Sequence, residues 1–396
     1  MQLKLARLTA TVAAAVVLAA LPGVADAAVT WTVQSVPLPP NARGGELSAV
    51  DCPASAFCVA TDSADGVNSS GYLVPVIEVW NGSTWTAQVL PEQYVNQDAT
   101  VTAVSCASTT SCVATGSYAN VDLQNMMAEV WNGSTWTLMT LPEPPNSYQD
   151  GVLEGVSCAS ATNCTAVGSY GSPSSSAVGL PLAEHWNGST WKVQTPPAPA
   201  GSVGGGLSGI SCPTASSCTA VGAFQNGHGY APFIERWNGS TWKVELDSLP
   251  AGDTGAGLSA VSCTSASSCF AAGSYTTGAT SGAPLALRYS HGSWTASQPP
   301  IPSATTGSLT GISCVTTAAG SSHCTAVGAV TESGTSGGQA LAEYWNGRRW
   351  AWQATAAPPS RKSLAAVSCA AGGTCIAVGR QLPQGARFYQ MLAEQN

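Results

Sequence analysis

The sequence predicts an all-β protein, a seven-bladed β-propeller with four antiparallel strands in each blade, on three observations. Seven pairs of cysteines recur at intervals of 51 to 55 residues, led by Cys52, Cys106, Cys158, Cys212, Cys263, Cys314 and Cys369. Each pair sits in one repeated phrase, close to Leu-Ser-Gly-Val-Ser-Cys, a turn, Cys-Thr-Ala-Val-Gly-Ser-Tyr and later Leu-Ala-Glu-His-Trp-Asn-Gly-Ser-Thr-Trp. No part of that phrase has a helical period, and an all-strand repeat of about 50 residues has the size of a propeller blade.

The chain opens with the pattern of a secretory signal. Lys4 and Arg7 are followed by an apolar run from Val12 to Leu21 and by Ala25-Asp26-Ala27, a small-x-small cleavage site. We expect residues 1–27 to be a signal peptide and residues 28–396 to be a single domain. An apolar run this short, ending at Pro22, does not span a bilayer, and no membrane span is expected after cleavage.

The third repeat shows the strands in order. Leu153 to Ser157 alternates apolar and polar residues and reads as the first strand. The residues between Cys158 and Cys164 are turn formers, and Thr165 to Ser169 is the second strand. A disulfide at the mouth of that hairpin joins opposed residues within bridging distance. The same pairing is expected for Cys52 with Cys58, Cys106 with Cys112, Cys212 with Cys218, Cys263 with Cys269, Cys314 with Cys324 and Cys369 with Cys375. Pro181 to Trp186 and Thr190 to Gln194 are the third and fourth strands, joined by Asn187-Gly188-Ser189. Asn-Gly between aromatic flanks is a strong hairpin signal, because both residues accept positive φ.

The third position of every first strand is small: Ala49, Ala103, Gly155, Gly209, Ala260, Gly311 and Ala366. In a propeller that strand lies nearest the axis, where blades converge. The seventh repeat has no fourth strand after Glu394, whereas Thr30-Trp31-Thr32-Val33-Gln34 matches the fourth-strand segment Thr84-Trp85-Thr86-Ala87-Gln88. The N-terminal segment is therefore expected to complete blade seven and close the ring, which removes the open sheet ends.

Fourteen cysteines fit an oxidising compartment, so the expected location is extracellular. Charged residues make up 9% of the chain, and loss of Lys4, Arg7 and Asp26 takes the net charge from −8 to −9. No basic run exists, which argues against nucleic acid as a partner.

Val-Ser-Cys, Cys-x-Ala-Val-Gly and Trp-Asn-Gly-x-x-Trp together resemble a family of secreted repeat proteins of high-GC Gram-positive bacteria, over nearly all of the chain after Ala28. The resemblance implies a β-propeller and brings no known reaction. Gly133-Ser134-Thr135-Trp136 is similar to the end of the Asp-box of sialidase-type propellers, but Trp131 and Glu129 stand where that motif has its Asp and Ser. That likeness implies architecture alone.

Several residue sets could carry chemistry. Cys-x5-Cys supplies two ligands where a tetrahedral metal site needs four, so no metal and no cofactor are expected. The repeated tryptophans read as inter-blade packing. Glutamates recur in six third strands, at Glu78, Glu129, Glu184, Glu235, Glu343 and Glu394; a catalytic carboxylate need not be copied six times, so they are expected to accept structural hydrogen bonds. No catalytic residue is assigned.

Loops joining strands two to three, and blade to blade, vary in length and share one face. Function tends to sit on variable loops held by a rigid scaffold. The candidate ligand-binding residues there are Asp62, Tyr94, Asp98, Tyr118, Asp122, Tyr148, Asp150, Tyr170, His228, Tyr230 and Tyr275. On the opposite, uniform face the repeat breaks its own pattern at His291, His323, Arg348 and Arg349, a candidate anion patch.

The expected function is a secreted, monomeric binding or interaction module for polysaccharide, a cell-envelope component or an extracellular protein. The alternatives are a propeller-fold glycoside hydrolase or lyase, and a structural surface protein with no small ligand.

Overall fold

The computed structural model describes residues 30–65, 72–90, 98–120, 123–147, 151–171, 179–246, 253–277, 280–301, 305–332, 338–356 and 361–396. The segment read as a signal peptide lies outside them. Among the described residues, 28 strands form seven four-stranded antiparallel sheets. The chain is a seven-bladed β-propeller. Blade three, the type repeat, consists of Gly151–Ser160, Asn163–Tyr170, Leu180–Trp186 and Trp191–Gln194.

Blade seven is built from both ends of the chain. Its inner strands are Arg361–Cys369, Cys375–Leu382 and Gln390–Gln395, and its outer strand is the N-terminal Thr32–Gln34. The closing register is Thr32↔Gln395, Val33↔Glu394 and Gln34↔Ala393. Trp31, just before that strand, is buried in the core between blades six and seven.

All fourteen cysteines are paired within their own hairpins, with Cα–Cα distances of 3.9–4.1 Å. The core lies in layers between adjacent blades. One layer joins Cys52, Cys58, Trp80 and Trp85 of blade one to Ile376, Val378 and Met391 of blade seven. The paired tryptophans Trp80–Trp85, Trp131–Trp136 and Trp186–Trp191 tilt against each other with centroids 5.5–5.6 Å apart.

The small residues of the inner strand are required by contact. A Cβ on Gly311 would lie 2.8 Å from Ala366 Cα of the next blade, and one on Gly209 would lie 2.9 Å from Ser259 O. The residue just before this small one is bulged out of register in every blade. A bulge re-aims its side chain, and here it lets the Ser48, Thr102 and Thr310 hydroxyls reach the carbonyls of Val101, Leu153 and Leu364 in the following blade.

The serine that precedes each leading cysteine also has a defined role. Its Oγ accepts the N–H of the next blade's leading cysteine: Ser105 from Cys158, Ser157 from Cys212, Ser211 from Cys263, Ser262 from Cys314, Ser313 from Cys369 and Ser368 from Cys52. Asp51 takes this place in blade one and accepts from Cys106 at 2.6 Å. Seven inter-blade hydrogen bonds thus run round the whole ring. Burial pushes the Asp51 carboxyl up to about 6 against those hydrogen bonds.

The recurring glutamates are buried in all six blades that carry them. Their expected role as hydrogen-bond acceptors holds for Glu394, which accepts from Ala356 N–H and from Lys362 Nζ. It does not hold for Glu129, Glu184, Glu235 or Glu343, whose carboxyl oxygens meet no donor among the described residues. For Glu184, Glu235 and Glu343 the reason is in the covering loop. Ala356 stands six residues after the outer-strand Trp350, and the same position after Trp136, Trp191 and Trp294 holds Pro142, Pro197 and Pro300. Proline has no N–H to offer.

Burial therefore pushes Glu129 up to about 7 and Glu184, Glu235 and Glu343 up to about 8, with Glu143 adding to the rise at Glu184. The folded state holds protons that the unfolded chain releases near 4.5. This contribution to stability is full below that pH and is lost as pH rises through about 7 to 8. The melting temperature is expected to fall by several degrees between pH 5 and pH 8.5. Replacing Glu184, Glu235 and Glu343 together with Gln should flatten that slope. A midpoint that stays level or rises over the same range in the parent protein would contradict this reading.

Candidate functional site

Antiparallel strands sort the connections into two faces. The disulfide hairpins and Asn-Gly-Ser turns share one face, and the variable connections share the other. On the variable face a pocket of about 450 Å³ opens where blades seven, one and two meet. That is within the range of small-ligand sites, roughly 300–1,000 Å³.

Three elements build it. The inner strand of blade one, Gly44–Ala54, supplies Glu46 and Ser48. The inner strand of blade two, Ala99–Ser108, supplies Thr100 and Thr102. The connection before Gln390 in blade seven supplies Arg387, Phe388 and Tyr389. Gly44 is needed here because the blade-seven connection lies directly on it: an added Cβ would sit 2.6 Å from Tyr389 O. Gly45 N–H donates to the same carbonyl at 3.1 Å.

Polar and aromatic groups converge on the rim. Arg380 Nη1 pairs with Glu46 Oε2 at 2.6 Å, and its guanidinium lies 4.5 Å from the Tyr389 ring centroid. Phe388 is 43% exposed and Tyr389 37%. Ser63 and Asp65 of the strand Phe57–Asp65, with Leu73, complete the lining. Exposed aromatic faces beside a guanidinium–carboxylate pair can stack on an apolar ring face while bonding the hydroxyls at its edge.

The expected site residues fall in several places. Asp98 stands at this corner of the ring, where its Oδ1 accepts Leu73 N–H at 2.8 Å and its carbonyl accepts Ala119 N–H at 2.7 Å. Asp62 belongs to no loop: it pairs with Leu47 and Val76 inside the strand Phe57–Asp65. It takes the place that Gly116 and Gly168 hold in blades two and three. The sequence pattern places Tyr118, Tyr170 and Tyr275 in loops, but each lies within a second strand and packs partly buried on an inter-blade core. Strand ends continue into the region that the sequence pattern assigns to loops. His228 and Tyr230 are exposed on the hairpin of blade four, where His228 N–H donates to Asn226 Oδ1. Tyr94, Asp122, Tyr148 and Asp150 lie outside the described residues.

On the uniform face, His291 is exposed at the tip of the outer hairpin of blade five. Arg348 and Arg349 are exposed at that of blade six, with both backbone N–H groups donating to Asn346 Oδ1. His323 is half-buried, with Nδ1 2.6 Å from Tyr344 Oη.

Arg387, Phe388 and Tyr389 were not singled out from sequence. Their signal is a connection in the seventh repeat that carries two adjacent aromatics after an arginine, at a point where the repeat pattern predicts the start of a strand. Among the described residues, no group of three or more His, Cys, Asp or Glu is placed to hold a metal ion, and no helix is long and apolar enough to cross a membrane.

No protein-family profile matches this chain, and no curated protein does. Solved structures match over nearly its whole length at low identity. YCF48 bound to D1 peptide aligns with TM-score 0.52 and 12% identity, over 92% of this chain and 96% of that one. A protein of unknown function from Dyadobacter fermentans gives 0.51 and 9%, over 93% and 98%. The GH74 xyloglucanase from Xanthomonas campestris gives 0.53 and 13%, over 91% of this chain and 55% of that one. At these identities the likeness is one of fold.

Proposed function

We propose that this protein is an extracellular carbohydrate-binding module, and that its ligand sits in the pocket between blades seven, one and two. The observation that carries the reading is the pair of exposed rings, Phe388 and Tyr389, beside the Arg380–Glu46 ion pair in a pocket of sugar-binding size. A neutral or anionic saccharide suits this chemistry, with a ring face on the aromatics and hydroxyls on Arg387, Glu46 and Asp65. Seven disulfides fit a protein that works in an oxidising medium outside the cell. The exposed Tyr230 and His228 extend the same face.

The test is a glycan array and insoluble-polysaccharide binding with the parent, Phe388→Ala and Tyr389→Ala, with release of reducing ends followed in the same samples. Saturable binding that weakens about tenfold or more in either variant is the expected result. Binding untouched by both variants would move the site elsewhere. Release of reducing ends would make the protein a hydrolase. Binding of peptides with silence on every glycan would replace the sugar with a protein partner.

A further inference from the structure

A second pocket, of about 470 Å³, opens on the opposite, disulfide-bearing face between blades six and seven. Its origin can be read from the six other blades. In each of them the third strand ends in a large ring that pairs across the hairpin with the outer-strand tryptophan: Trp80, Trp131, Trp186, Trp237, Tyr289 and Trp345. These ring pairs have centroids 5.2–5.7 Å apart. In blade seven the register Thr32↔Gln395 puts Asn396 opposite Trp31, so no ring stands there, and the Asn396 side chain turns back so that its Oδ1 accepts Cys375 N–H at 2.7 Å. Asn396 lines the pocket.

The walls correspond position by position. Trp345 of blade six rests on Phe270 of blade five at 5.6 Å and has the Arg288 guanidinium 5.6 Å from its ring. Phe270 and Arg288 are register partners. Their counterparts one blade on are Thr325 and Tyr344, also register partners, and both line the pocket. The polar end corresponds as well. The indole N–H of Trp131 donates to Thr109 O at 3.4 Å, and that of Trp186 to Ala161 O at 3.3 Å. Each acceptor is the third residue after the leading cysteine, and in blade seven that residue is Gly372, which lines the pocket too. Gln353 is held at the opposite wall by the indole N–H of Trp31.

We infer that this pocket is a binding site for a planar, N–H-bearing aromatic ring of indole size, from a free indole compound or a tryptophan side chain. It is separate from the carbohydrate site proposed above, on the other face of the ring. The ring lies against Tyr344, above a floor closed by Thr325 and Cys375, whose Oγ1 and Sγ are 3.7 Å apart, and donates its N–H to the carbonyl of Gly372. His323, held by Tyr344 Oη, completes the polar side. A saccharide fits this seat less well, since no acidic side chain and no arginine line it among the described residues.

The test is titration of the full chain, isotope-labelled, with indole, N-acetyltryptophanamide and 1-methylindole, reading the amide resonances of Gly372, Gly373 and Asn396. The first two compounds are expected to shift these resonances saturably, with 1-methylindole about tenfold weaker because it has no N–H to donate. Asn396→Trp fills the seat from within and should abolish the response. Gly372→Leu serves where that variant folds poorly, since a Cβ at Gly372 meets nothing within 4 Å; it too should abolish the response. No saturable shift in the parent, a response that survives both fillings, or 1-methylindole binding as tightly as indole would each overturn the assignment. So would a neutral saccharide shifting the same resonances while indole does not.

Discussion

Deleting residues 28–36 is expected to destabilise the whole ring and to make the protein self-associate. The deletion removes the outer strand of blade seven and bares the edge of Gln390–Gln395, which pairs with it over three residues. It also removes Trp31, 4% exposed in the layer between blades six and seven. Truncating a buried tryptophan costs about 3–5 kcal/mol by itself. An unpaired edge then offers its N–H and C=O groups to another chain. Trp31→Ala in the full chain should lower the melting temperature without exposing the edge, so the two contributions separate. A peptide spanning residues 28–36, added to the truncated protein, should restore the monodisperse species. A truncated protein that melts like its parent and stays dispersed would show that the N-terminal strand does not close the ring.

Replacing Lys362 with Met is the second large effect, about 3–5 kcal/mol of lost stability, because one partner of a buried ion pair remains without its counter-charge. Lys362 Nζ lies 2.9 Å from Glu394 Oε1, and the two side chains are 7% and 0% exposed. Nζ also donates to Ala356 O in the covering loop. The pair therefore ties the inner strand of blade seven to its third strand, next to the closing strand. Lys362→Met combined with Glu394→Gln should recover most of the loss, since the charge left behind is then gone. A single Lys362 variant as stable as its parent would show that the pair contributes nothing to closure.

The buried glutamates and this lysine show how sequence and structure divide the explanation. Six glutamates in register with the repeat are visible in the chain, and so is Lys362 where the other six blades have Gly45, Ala99, Gly151, Gly205, Ala256 and Gly307. Neither pattern states that the two meet. Glu394 and Lys362 lie on different strands of one sheet, and only their shared face and the folded-over loop bring them together. The prolines opposite Glu184, Glu235 and Glu343 are likewise plain in the sequence, but their effect on those carboxyl groups appears only when the loop is laid on the blade.

The two pockets divide in the same way. The tyrosines Tyr118, Tyr170 and Tyr275 have the residue type of a binding surface, yet their strand positions turn them into packing against the inter-blade cores. Phe388 and Tyr389 read as the lead-in to a strand and stand exposed, because Gly44 lets their connection lie flat on the neighbouring blade.

The amino-acid order alone determined the blade count, the strand order within a blade, the seven disulfides and the closure by Thr32–Gln34. Those features follow from local chemistry repeated at a fixed period: alternation, turn residues, cysteine spacing and small residues where strands crowd. The tertiary structure decided which glutamates find a donor, that each pre-cysteine serine serves the next blade rather than its own, and where the ring leaves space at its two faces. These depend on contacts between residues more than 30 positions apart, as with Lys362 and Glu394 or Ser105 and Cys158, and a one-dimensional period fixes each partner's place in its repeat without showing that they touch.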